Sequence, residues 1–234
     1  MHELMHDPQT RRTTAYHEAA HAAMHFMFGK YVERIDMTGG PNNALAGVQG
    51  EGGTWTSPML IRAHVESGDG RDAKVEAMMG LIQLLAGPYI DHKLEPAIYD
   101  EGFDPIWLSE RVEIHYTLPD ESHPDEIDEG CDVVRAVRIA FAAYGEDSPR
   151  SWGFLRRAGK WTEQLVEESR VWRVIEALGE RLIVADWMSG GEADDLMASA
   201  WGKRTGFGLR DLPWKWRRRF PLPWLRTRRA VGAG

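Results

Sequence analysis

The chain has 234 residues, 43% hydrophobic and 27% charged, enough for one domain with a sizeable core or two small ones, and this excludes a disordered or fibrous polypeptide. A single cysteine, Cys131, excludes an intramolecular disulfide framework and a Cys-based zinc cluster. No uncharged apolar run reaches the roughly 18 residues of a membrane span, and the start has no basic-then-apolar secretory pattern, so a reducing cytoplasm is the expected compartment. The net charge of −8 hides a division. From Gly202 onward there are ten Lys/Arg and one Asp, net +9, which leaves 18 basic and 35 acidic residues before it, net −17. Such an acidic body is poorly suited to non-specific nucleic-acid binding.

In chain order, Asp7-Pro8 opens an Ala-rich helix that should stop at Gly29. Its half from Ala19 to Phe28 is apolar nearly all round except for histidines, which predicts burial. Tyr31–Met37 alternates weakly as a strand, Gly39 to Asn42 make a turn, and Ala44–Gln49 can return as a second strand, giving a small hairpin. A helix is expected from about Asp72 to Leu85, interrupted or kinked at Gly87-Pro88 and resuming through Leu94. Residues 95–130 mix acids, prolines and isolated aromatics without period and read as an irregular insertion. Asp132–Tyr144 is a clean amphipathic helix closed by Gly145. A longer helix is expected over about Trp161–Trp187, with a break near Gly179, and a short capped helix from Ser189. The predicted fold class is mainly α, with a small β-hairpin beside the first helix, over residues 1–201; residues 202–234 form a separate basic Trp/Arg/Pro-rich tail.

The sharpest motif is His17-Glu18-Ala19-Ala20-His21. Residues four apart on a helix share one face, so two imidazoles can grip one metal ion. Glu18 points off that line and can take a proton from a water polarised by Zn²⁺. This is the zinc-metallopeptidase pattern, with Glu18 as catalytic base. The bland alternative, two buried histidines satisfied by hydrogen bonds, has to bury a Glu as well, which is costly without a partner.

Thr14-Ala15-Tyr16-His17-Glu18-Ala19-Ala20-His21-Ala22 resembles the peptidase motif of the FtsH-type zinc metalloproteases, peptidase family M41. Val32–Met37 and Ala44–Val48 resemble that family's hairpin, Leu85-Ala86-Gly87 its next helix, and Ser189–Leu196 its closing helix. Ala20 stands where the family usually has Gly. The resemblance implies a helical zincin-like fold and a zinc-dependent endopeptidase. It implies a third zinc ligand at the start of a later helix, in a pattern like Asp-Ile-x-x-Ala, which Asp132-Val133-Val134-Arg135-Ala136 matches. Asp91, one helix earlier, is the rival ligand, and His123, Asp125, Glu126, Asp128 and Glu129 crowd the same region. The resemblance also implies that Ala44, Leu45, Ala46, Gly47 and Val48 hold substrate in extended form by edge pairing.

The remaining histidines fit other roles. His25 lies one turn beyond His21, too far along a straight helix to share the site, and reads as core; His2 and His6 read as terminal and solvated, His64 and His92 show no partner pattern, and His115 reads as a surface or packing residue ahead of an oxyanion donor. Cys131 reads as a small buried residue. Family members normally carry an AAA+ ATPase module, which these residues lack, so the implied substrate is already unfolded or delivered by a partner ATPase; an oligomer is left open. The tail interleaves Trp with Arg, a chemistry suited to peripheral binding at an anionic membrane surface or to an acidic protein. Two other readings stand beside the peptidase: a catalytically silent peptidase-fold adaptor or regulator, and an interaction protein driven by the tail toward membrane or nucleic acid.

Overall fold

The computed structural model describes residues 8–37, 47–50, 58–68, 70–96, 103–106, 131–146 and 148–202. Seven helices and three short strands are labelled here in chain order: α1 (Pro8–Met27), β1 (Val32–Asp36), β2 (Gly47–Gly50), α2 (Pro58–Glu66), α3 (Gly70–Leu94), α4 (Asp132–Tyr144), α5 (Pro149–Val166), α6 (Ser169–Ala185), β3 (Trp187–Ser189) and α7 (Gly190–Trp201). The fold is mainly α with a small antiparallel hairpin, as expected.

α1 is the central helix, packed between α3 and α6. Ala15, Ala19, Ala20, Ala22 and Ala23 are buried along it, and such small side chains let neighbouring helices approach closely. α3 continues the core into α4 and α5, through Leu81, Ile82, Leu85 and Ile139. The hairpin lies beside α1, pairing Ile35 with Val48 and Asp36 with Gly47. β3 adds to the other side of β1, giving the order β2-β1-β3, so β2 is an edge among the described strands.

Several boundaries differ from those expected. α3 runs unbroken through Pro88. A helix-interior proline costs about 3 kcal/mol, but Leu84, Leu85 and Ile90 around it are fully or almost fully buried, and that packing holds the helix together. α6 likewise passes straight through Gly179, and the break falls instead at Glu167–Glu168. Gly179 is small because Tyr16 of α1 lies against it: a Cβ there would come within 2.7 Å of the ring. α5 begins at Pro149, earlier than expected, where the Ser148 hydroxyl caps the helix by accepting from the Ser151 backbone N–H. α2 and β3 were not expected. α2 buries only Ile61, and β3 has three residues, so neither offers a periodic apolar signal.

The return from α6 into β3 is made by Asp186, a non-glycine residue at φ 62°. Its left-handed backbone is held at three points. Its N–H donates to the Leu182 carbonyl, its carbonyl accepts from Met37 at 2.8 Å, and its carboxylate pairs with Arg11 of α1. At the next turn, Gly190 starts α7 directly against β1, where a Cβ would meet the Val32 carbonyl oxygen at 1.8 Å.

These two close approaches should rank differently on substitution. Gly179→Ala presses on a side chain and should cost about 1–3 kcal/mol of unfolding free energy. Gly190→Ala presses on backbone and should cost more. Denaturant titration of both variants checks the order, and equal or negligible losses would contradict it.

Candidate metal centre

α1 presents His17 and His21 on one face, their ring centroids 4.7 Å apart. The first residue of α4, Asp132, meets them there. The two Nε2 atoms are 3.0 Å apart, and Asp132 Oδ2 lies 3.0 Å from His21 Nε2 and 3.4 Å from His17 Nε2. The start of α4 suits Asp132, because the helix N-terminus favours an anion. Its other oxygen, Oδ1, is 3.8 Å from Arg135 Nη1.

What faces the opposite side of each imidazole decides what this cluster can do. His17 Nδ1 is 2.8 Å from Asp91 Oδ2, and His21 Nδ1 is 2.7 Å from the Gln83 carbonyl oxygen. A carboxylate and a carbonyl can only accept, so each neutral ring carries its hydrogen on Nδ1. Both Nε2 lone pairs and a carboxylate oxygen then converge on one point with no hydrogen between them. That arrangement is repulsive unless positive charge relieves it, either a metal ion at its centre or added protons on Nε2 that donate to Asp132. The donor set, two imidazoles and one carboxylate, is that of a catalytic zinc site with three protein ligands. Tetrahedral zinc at its usual bond lengths places ligand atoms about 3.3 Å apart, and the observed 3.0–3.4 Å brackets this.

α3 supplies the outer partners. Asp91, the rival for third ligand, bonds the far nitrogen of His17 and does not join the converging atoms. Carboxylate and carbonyl partners of this kind fix ring orientation and raise ligand basicity. One turn before Asp91, Gly87 lies directly beneath His17: a Cβ there would fall 2.3 Å from His17 Nε2. Pro88 has no N–H to offer the Leu84 carbonyl, so the helix ladder has a gap beside the residue that receives His21.

The electrostatics follow from this crowding. Asp132 is held well below the usual carboxylate range: burial works to raise it, and the two imidazoles outweigh that. His17 is raised well above 6.5, since burial lowers it but the Asp91 carboxylate and hydrogen bonds to Asp132 and Asp91 prevail. His21 is raised as well, with Asp132 overcoming burial. Glu18 is raised, mainly by burial; it is 7% exposed, and its Oε2 has no hydrogen-bond partner among the described residues. The side chains of His17 and Asp132 remain 21% and 20% exposed, so neither is fully enclosed.

The other candidates lie elsewhere. His25 is buried and bonded to the Gln83 side chain, as its reading as core anticipated. His64 is exposed at the end of α2, and His92 stacks on Phe103. Cys131 is half-buried in the N-cap position of α4. Gly47 and Val48 are in β2, on the hairpin edge. Ala44, Leu45, Ala46, His2, His6, His115, His123, Asp125, Glu126, Asp128, Glu129 and the tail from Lys203 onward lie outside the described residues. The partners not anticipated are Asp91 in its outer role, Gln83 and Gly87. The readable trace was that Gly87 and Asp91 share one face of α3, four residues apart. Among the described residues no helix is long and apolar enough to cross a membrane. Comparison of the chain with protein-family models, curated proteins and solved structures finds no match.

The raised histidines set a pH dependence for the metal-free protein. Between the unfolded value near 6.5 and the raised folded value, the folded state binds more protons, so stability falls as pH rises through that window. Asp132 acts at the other end: its depressed value adds stability above the unfolded carboxylate range, which is lost as the pH drops through and below it. Melting temperatures in chelator should therefore be higher at pH 6 than at pH 9, and Asp132→Asn should flatten that difference. An unchanged pH profile in the variant would refute the assignment.

Proposed function

We propose that the chain is a zinc-dependent metalloendopeptidase of the FtsH type, acting on unfolded polypeptide. The observation that carries this reading is the convergence of His17 Nε2, His21 Nε2 and Asp132 Oδ2, with each Nδ1 facing an acceptor, Asp91 or the Gln83 carbonyl, that draws the hydrogen of the neutral ring away from the centre. His17, His21 and Asp132 would hold the ion, and zinc bound there would supply Lewis acidity to a water and to a peptide carbonyl.

The chain's own groups do the remaining work. Glu18 is the general base and proton carrier, taking a proton from water and passing it to the leaving amine. Its burial, and an Oε2 without a hydrogen-bond partner among the described residues, support that role, because a carboxylate raised in this way takes a proton from water more readily than a solvated one. Asp91 and Gln83 keep the imidazole lone pairs aimed inward. β2, with Gly47 and Val48, offers an edge along which an extended substrate can add as a strand. Such a site needs its substrate unfolded, and delivery by a partner ATPase or prior unfolding meets that need. Residues 202–234 would serve docking, to an anionic surface or an acidic protein.

The test is paired. The purified chain should hold one zinc and cleave an unfolded protein. Glu18→Gln should keep the zinc and lose about 10²–10⁴-fold in cleavage rate. Asp132→Ala should lose the zinc, and Asp91→Asn should weaken it by about 10–100-fold. Zinc without cleavage in wild type would favour the silent adaptor, and a chain that takes up no zinc would overturn both readings. Gly87→Ala, which drives a methyl into the His17 ring, should weaken zinc binding at least as much as Asp91→Asn, as read by competition with a chelating dye.

A further inference from the structure

His25 and Gln83 form a buried polar pair that the proposed chemistry does not use. His25 sits one turn beyond His21 on α1, 5% exposed, with Nδ1 lacking a hydrogen-bond partner among the described residues. The Gln83 amide nitrogen bonds His25 Nε2, and the same residue's backbone carbonyl accepts from His21 Nδ1 at 2.7 Å. One residue of α3 thus joins two successive histidines of α1, through its side chain and its main chain. An apolar pair would fill this core position without leaving a nitrogen unpaired, so packing alone gives no reason for the arrangement.

The position of Gln83 supplies a reason. The carbonyl that receives His21 lies in the stretch of α3 where Pro88 removes a ladder hydrogen bond, at Leu84. There the helix has one fewer ladder hydrogen bond to fix its backbone. The side-chain bond to His25 ties that turn to α1 from a second direction. We infer that His25 and Gln83 are positioning residues, which hold the Gln83 carbonyl against His21 and so keep the His21 Nε2 lone pair turned into the metal centre. This rests on the zinc reading for its purpose, though the orientation of His21 can be measured without any metal.

The experiment compares wild type, Gln83→Leu, His25→Leu and the double variant His25→Leu/Gln83→Leu. Either single variant strands a buried polar group and should lower the melting temperature. The double variant removes both partners and should recover most of that loss. A purely structural role predicts that function recovers with it. The positioning role predicts that it does not: zinc affinity by chelator competition stays about tenfold weaker in the double variant. Nitrogen NMR of the metal-free protein at alkaline pH should show His21 hydrogen on Nδ1 in wild type and shared between both nitrogens in the double variant. Wild-type zinc affinity and an unchanged His21 tautomer in a stable double variant would overturn the inference. If wild type takes up no zinc, the zinc reading fails by itself, and the tautomer comparison still decides the positioning role. If the double variant does not fold, Gln83→Met, which removes the amide and keeps the length, is scored by the same two readouts.

Discussion

The close contact between α1 and α3 at the His17–Gly87 crossing is the constraint on which the site depends. A side chain at Gly87 would occupy the space of the imidazole, so the ring lies on bare backbone. That closeness brings Asp91 and Gln83 within hydrogen-bonding reach of the two Nδ1 atoms. The alanines of α1 permit the approach along the rest of the helix, and α6 presses from the other side with Gly179 against Tyr16. Local chemistry at the centre is therefore a product of helix spacing.

The centre also has a cost. Two carboxylates, Glu18 and Asp132, and two imidazoles are gathered where burial works against every charged form. Attraction between the carboxylates and the rings offsets part of this, but burial still prevails at Glu18, whose Oε2 has no hydrogen-bond partner among the described residues. A fold selected for stability alone would replace such a cluster with apolar side chains. Its presence inside an otherwise alanine- and leucine-rich core argues for a use that outweighs the loss.

The sequence was informative where signals are local. The His17/Glu18/His21 spacing, the hairpin, the α4 boundaries with Asp132 at its start, and the stop at Gly29, whose φ is +71°, could all be read from short stretches. The misreadings share a cause. Gly179 and Pro88 each carry two meanings, helix breaker or close-packing device, and only the neighbour in space decides between them: Tyr16 in one case, the buried turn around Leu85 in the other. The outer partners were hidden for the same reason. Nothing near Gln83 in sequence marks its carbonyl as the acceptor for a ring 62 positions earlier. Asp91 could be seen as an acid near the site, but its side of the ring could not.

Asp132 stands 111 residues after His21, on a different helix. The two histidines leave the ribosome as neighbours, while the carboxylate that completes the cluster follows only after the hairpin, α2, α3 and a long acidic stretch have been made. Closing so wide a loop becomes favourable only once α3 has docked to give both ends a common surface. The centre is thus absent from a nascent or unravelled chain and exists only in a finished one. Placing the last member of the cluster far downstream means that the three groups meet only after the helices between them have been made and packed.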